Sequence, residues 1–214
     1  MEYIIGNSIG IIQILVGYPF DTIKVNLQND NKIKINYKFL FNGAKYPLIQ
    51  SCMGNSLLFG NYKILKDKGY NDFISGGISG FFTGFIINPF EVLKVNKQTN
   101  ININIYKINY FRGLNYTLLR ESLGSGIYFS TFNYLNNDLK INTFLAGGIA
   151  GINSWIFTYP IDTIKTRIQT NRNINNMKIV DYFKGVKFAL LRAFIVNSIG
   201  LYIFDYAEKE YLDK

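Results

Sequence analysis

A proline followed at fixed steps by an acid, a lysine and a glutamine recurs three times along the chain. The copies read Pro19-x-Asp21-x-x-Lys24-x-x-x-Gln28, Pro89-x-Glu91-x-x-Lys94-x-x-x-Gln98 and Pro160-x-Asp162-x-x-Lys165-x-x-x-Gln169. The prolines lie 70 and then 71 residues apart, and glycines stand thirteen and nine positions before each: Gly6 and Gly10, Gly76 and Gly80, Gly147 and Gly151. A period this long, with a charge pair at one place beside each proline, reads as a threefold internal repeat. The repeats are expected at 1–70, 71–140 and 141–214, units that cannot stand separately in a chain of 214 residues.

Residues 3–20, 73–90 and 141–161 carry no charged side chain. Each run is long enough to cross a hydrocarbon core of roughly 30 Å at about 1.5 Å per residue. Weaker runs at 46–62, 122–137 and 193–204 lengthen if Arg120, Glu121 and Arg192 are admitted to the membrane. Six candidate spans follow. The mean hydropathy is only +0.07, but the polar weight comes mostly from Asn and Lys in the connections.

The net charge of +9 raises nucleic acid as a partner. Its distribution argues against a nucleic acid polymer, which needs basic residues interleaved on one surface. Between 29 and 42, 99 and 115, and 170 and 186, eight bases face Asp30 and Asp181 alone: Lys32, Lys34, Lys38, Lys107, Arg112, Arg172, Lys178 and Lys184. The three connections therefore share one basic side of a membrane. Cys52 is the single cysteine and histidine is absent, so a disulfide framework, a metal site, a cofactor and His-based catalysis are not expected. The chain reads as a non-enzyme. Met1-Glu2 offers no basic leader before the first apolar run, so any targeting is expected to be internal.

On a helix, positions three, four and seven apart share a face. Asp21, Lys24 and Gln28 form one stripe, and so do Glu91, Lys94, Gln98 and Asp162, Lys165, Gln169. Charges at membrane depth are costly against lipid, so each stripe faces the bundle interior or a watery cavity. Proline removes a backbone hydrogen bond and kinks the helix, swinging the half that follows across the axis. Partly wet ion pairs are only modestly stabilising, so a ring of them can break and re-form as a gate. The paired glycines let helices approach closely in lipid, where packing drives association.

The three motifs together, with an aromatic-x-Gly element in each repeat (Phe41-Asn42-Gly43, Phe111-Arg112-Gly113, Phe183-Lys184-Gly185), resemble the mitochondrial carrier family over nearly the whole chain. That resemblance implies an all-α membrane protein of six transmembrane helices in three pseudo-symmetric repeats. Such a protein is a monomeric, multi-pass carrier of the mitochondrial inner membrane, or of a host's mitochondrion should the source be a virus or a parasite. It moves a small metabolite by alternating access, as an exchanger.

Several site assignments also rest on the resemblance. The basic side becomes the matrix side, and the ring pairs cyclically: Asp21 with Lys94, Glu91 with Lys165, Asp162 with Lys24, each glutamine bonding a pair. The outer gate motif of the family falls on Tyr62-Lys63-x-x-Lys66, Phe132-Asn133-x-x-Asn136 and Phe204-Asp205-x-x-Glu208. There only Lys63 or Lys66 can bridge to Asp205 or Glu208, which makes a weak gate. The aromatic-x-Gly elements begin helices, and Gly43, Arg112, Gly113, Lys184 and Gly185 are expected to hold a lipid phosphate, which the family implies is cardiolipin.

Seven positions after each aromatic-x-Gly glycine stand Gln50, Arg120 and Arg192, matching the family's substrate contact points. An asymmetric ligand must be read by residues that break the repeat, and Glu121 beside Arg120 is the most informative break. Arg192 has no acidic neighbour in its repeat and is expected to be excess positive charge. Guanidinium can grip carboxylate or phosphate bidentately, and Glu121 would receive an ammonium. Leu119-Arg120-Glu121 is similar to S-adenosylmethionine and basic amino-acid carriers, so the expected substrate is amino-acid-like. A nucleotide or deoxynucleotide carrier is the alternative, since two arginines can hold phosphates.

Overall fold

The computed structural model describes residues 2–33, 36–100, 108–175 and 177–211, with the backbone alone at 2–11, 52, 197 and 200–211. The described residues are helical, without a strand. Six long helices follow one another: α1 (Glu2–Gln28), α3 (Lys45–Asp67), α4 (Asp72–Gln98), α5 (Leu114–Asn133), α6 (Thr143–Gln169) and α7 (Val186–Tyr211). A single turn, α2 (Tyr37–Leu40), precedes α3; a π turn (Tyr134–Asp138) extends α5, and a 3₁₀ turn (Ile179–Phe183) precedes α7. The odd members α1, α4 and α6 run 27 residues each straight through Pro19, Pro89 and Pro160 and end on Gln28, Gln98 and Gln169.

Both ends of these helices are written in the sequence. Asn71 and Asn142 accept the Ile74 and Phe144 amides at 2.8 Å, satisfying donors that a helix start leaves unpaired. Two residues after each terminal glutamine the chain turns left-handed, at Asp30, Asn100 and Asn171 (φ 56°, 55°, 59°). Asp and Asn tolerate that conformation better than other side chains do. Gly43, Gly113 and Gly185 have φ of 87°, 72° and 82°, where only glycine avoids a steric penalty. The residue before each proline then pins the connection of its own repeat. Tyr18 Oη donates to the Asn42 carbonyl at 2.7 Å, Asn88 Nδ2 to that of Tyr110 at 2.8 Å, and Tyr159 Oη to that of Lys184 at 2.6 Å.

The distribution of polarity is inverted relative to a water-soluble domain. Buried inside are Asp21, Lys24, Asn88, Gln98, Asp162, Lys165 and Gln169, while Phe82 and Phe157 are 57% and 63% exposed. Ser79 and Thr83 on α4 return their hydroxyls to the carbonyls one turn back, at 2.6 and 2.8 Å. Among the described residues, α4 alone is long and apolar enough to cross a membrane by length and composition.

Gly76 and Gly80 are where α4 meets α5. A Cβ on Gly76 would stand 2.6 Å from the Ser125 carbonyl oxygen, and one on Gly80 would collide with that of Glu121. Gly147 and Gly151 are likewise buried on α6, whereas Gly6 and Gly10 fall where the backbone alone is described. Gly80→Ala is therefore expected to destabilise the protein by about 1–3 kcal/mol through overpacking. Gly60, with nothing within 4 Å, is the matched control. Thermal unfolding in detergent compares the two, and equal midpoints would remove the close-packing role.

Candidate functional site

The three stripes meet. Lys94 Nζ stands 2.7 Å from Asp21 Oδ2, Lys24 Nζ 2.6 Å from Asp162 Oδ2, and Lys165 pairs with Glu91. These links run α4 to α1, α1 to α6 and α6 to α4, a ring of six charges with the cyclic order given above. Its side chains are nearly withdrawn from solvent, Lys165 to 4% exposure. Each charge therefore depends on its partner, because a buried ion left alone costs several kcal/mol.

The glutamines depart from the expectation that each bonds an ion pair. Gln28 Nε2 does so, donating to Asp162 Oδ2 at 2.9 Å and to Thr163 Oγ1 at 3.1 Å. Gln98 Nε2 reaches Thr22 Oγ1 at 3.1 Å, and Gln169 Nε2 reaches Asn88 Oδ1 at 3.4 Å. The physical reason is one of neighbours. Thr22 follows Asp21 and Asn88 precedes Pro89, so two of the three amides find a neutral side chain beside the pair.

Arg120 and Arg192 lie directly against the ring. Arg120 pairs with Glu121, its Nη2 is 3.8 Å from Glu91 Oε1, and its Nε is 4.0 Å from Asp162 Oδ1. Arg192 was expected to be unpaired; instead its Nε stands 2.9 Å from Asp21 Oδ1. Asp21 thus holds Lys94 on one oxygen and Arg192 on the other. Its partner in sequence is far away, and only the packing of α7 on α1 brings the guanidinium there. Gln50 sits on α3, half-buried. The indole of Trp155 completes this level, with Lys24 Nζ 4.2 Å and Arg120 Cζ 5.6 Å from its centroid, distances at which a cation is drawn to the ring face.

At the opposite end of the bundle, Asp72 collects three donors. Tyr62 Oη lies at 2.6 Å, Asn133 Nδ2 at 2.7 Å and Lys66 Nζ at 2.8 Å. Lys66 was expected to meet Asp205 or Glu208; the carboxylate it holds is Asp72, brought to it because α3 leads directly into α4. Lys63 is exposed, and the side chains of Asp205 and Glu208 lie outside the described residues. Asn133 faces a carboxylate, so an acid in its place would meet a like charge. Asn136 Oδ1 accepts from Thr143 Oγ1 at 3.4 Å.

Residues 139–214 match the family of mitochondrial carrier proteins. The mitochondrial basic amino acids transporter of Rattus norvegicus is 29% identical over 92% of this chain and 85% of its own length. The mitochondrial arginine transporter BAC2 of Arabidopsis thaliana is 25% identical over 92% and 86%. Mitochondrial ornithine transporter 1 of Schizosaccharomyces pombe is 27% identical over 95% and 90%. The chain is thus similar to mitochondrial carrier proteins, by the family match over its last third and by these relatives along nearly its whole length.

The motif residues and the repeat-breaking pair Arg120-Glu121 occupy one connected ionic cluster. Sequence reasoning missed two acids that gather donors outside this cluster. Asp72 lies outside the aromatic-x-x-x-base pattern; the signal for it is that an acid opens α4 where Thr143 opens α6. Asp30 was counted only as an exception in a basic connection. It receives Arg167 Nη2 at 2.7 Å and Lys184 Nζ at 2.5 Å.

Proposed function

We propose that this carrier moves an amino-acid-like metabolite, a basic amino acid foremost, through a central cavity that the three-pair ring closes at its matrix end. The observation that carries the reading is the Arg120–Glu121 pair against the ring. An α-amino acid presents a carboxylate and an ammonium side by side. Inserted between Arg120 and Glu121, it exchanges one ion pair for two and leaves no buried charge alone. A nucleotide supplies phosphate to Arg120 but strands Glu121, and an unpaired buried carboxylate is strongly unfavourable. The relatives named as basic amino acid, arginine and ornithine transporters support the same class.

Six membrane-spanning helices in three repeats are the architecture this function needs, and the apolar exterior around a polar interior supports it. Alternating access follows from the ring. Each of its acids also reaches an arginine of the binding level, so a ligand that engages those arginines weakens the contacts that hold the ring shut. Strict exchange, a monomeric carrier and bound cardiolipin complete the reading. For the lipid phosphate, Arg112 beside Gly113 is the better base, since Lys184 is already taken by Asp30 and Asp181.

A thermal-shift screen of purified protein tests the ligand class, because a ligand stabilises the state it binds. Arginine, lysine, ornithine and S-adenosylmethionine are expected to raise the unfolding midpoint above that seen with nucleotides. A shift with nucleotides alone would overturn the reading.

A further inference from the structure

The matrix rim is built threefold, with one exception. Each odd helix uses the residue two after its lysine to hold the terminal glutamine carbonyl of the next. Asn26 Nδ2 donates to the Gln98 carbonyl at 2.9 Å, Asn96 Nδ2 to that of Gln169 at 3.0 Å, and Arg167 Nε to that of Gln28 at 2.8 Å. The first two contacts are neutral. Between repeats one and two the outer layer is neutral as well, with Asn42 Nδ2 donating to Asn100 Oδ1 at 2.9 Å and to the Lys97 carbonyl at 2.7 Å.

Between repeats three and one the same positions are ionic. Asp30 stands where Asn100 and Asn171 stand, Arg167 where Asn26 and Asn96 stand, and Lys184 where Asn42 and Arg112 stand, so the acid Asp30 is what sets this seam apart. Arg167 therefore bonds both the Gln28 carbonyl and Asp30, and its side chain is only 9% exposed. Lys184 bridges Asp30 to Asp181, at 2.5 and 2.7 Å. Thr170 Oγ1 donates to Asn29 Oδ1 at 2.5 Å, and Arg172 Nη2 to Asn31 Oδ1 at 2.8 Å. Charge-assisted hydrogen bonds are roughly twice as strong as neutral ones, and several charges in one network hold where a lone surface pair does not.

We infer that Asp30, Arg167 and Lys184 form an ionic latch that makes the seam between the third and first repeats the last to part when the matrix end opens. The inference rests on the alternating-access reading, in which the odd helices must separate at this rim. The closed ring alone treats the three seams alike; the latch makes their opening sequential. Breaking the latch then lowers the barrier to the matrix-open state without touching the ring or the binding level.

Two substitutions remove the latch with residues the fold already uses at equivalent positions. Asp30→Asn keeps a side chain that tolerates the left-handed turn, and Arg167→Asn keeps a donor for the Gln28 carbonyl. In reconstituted vesicles, each is expected to raise the initial rate of labelled L-arginine uptake roughly three- to tenfold. The double variant should be no faster than the faster single, because both remove one shared contact. Unchanged or reduced rates in both singles, or additive gains, would overturn the latch. Amide hydrogen exchange separates this from failure of the transport reading. In the wild type the amides of 165–172 should exchange more slowly than those of 94–100, and Asp30→Asn should level them. Equal protection in the wild type counts against the latch whatever the protein carries, whereas unequal protection with no arginine uptake counts against the proposed substrate alone.

Discussion

Asp162→Lys is expected to abolish transport, and adding Lys24→Asp to restore part of it. The reversal places a lysine opposite Lys24 and beside Lys165 in a ring withdrawn from solvent, and breaking a buried pair from one side costs about 3–5 kcal/mol. The double variant returns opposite charges to the same two helices. Recovery stays partial for two reasons visible in the structure: Gln28 Nε2 donates to Asp162, and Lys24 rests over the Trp155 ring. This pair is the right one to invert. Each ring acid also faces an arginine, but the Asp162–Arg120 separation of 4.0 Å is the longest of those contacts. Initial uptake rates in liposomes, with folding checked by circular dichroism, decide the matter. Equal inactivity of the folded single and double variants counts against the pairing as a gate.

Glu121→Gln is expected to weaken amino-acid ligands by roughly ten- to a hundredfold, the usual worth of about 1.5–3 kcal/mol for a charge-assisted contact. The change keeps size and hydrogen-bonding shape and deletes only the charge that would receive the ligand ammonium. Ligands that carry a carboxylate but no ammonium should lose far less, since Arg120 remains. Truncation of Arg192 is a poorer probe, because its guanidinium also holds Asp21 and its loss disturbs the ring. Competition against labelled substrate uptake gives the affinities. A uniform loss across ligands with and without an ammonium would remove Glu121 from the recognition site.

How much of this could be read in the chain varies from residue to residue. The ring was legible because proline, acid and lysine recur at a spacing that puts one stripe on each of three helices, and equivalent positions in a repeat must share a depth. The glycines were legible for a related reason: Gly76 and Gly80 recur where α4 must touch another backbone. What the repeat hides is its own asymmetry. Arg192 has no acid nearby in sequence, and its partner Asp21 becomes visible only once α7 closes against α1. Gln98 and Gln169 were misread because pairing by symmetry ignores whether a Thr or an Asn stands nearer than the carboxylate. Asp72 and Asp30 lay beyond any motif, and each is a meeting point for donors from two separate elements: α3 and α5 for Asp72, α6 and the connection before α7 for Asp30. Such convergence is a property of the folded bundle and has no local spacing to announce it.

The most direct test of the amino-acid carrier reading is counter-exchange. Purified protein is reconstituted into cardiolipin-containing liposomes, and uptake of labelled L-arginine is followed with and without unlabelled arginine inside. The expected result is saturable uptake that internal arginine accelerates and that Asp162→Lys eliminates. Absence of amino-acid uptake, together with nucleotide uptake that Glu121→Gln leaves unchanged, would contradict it.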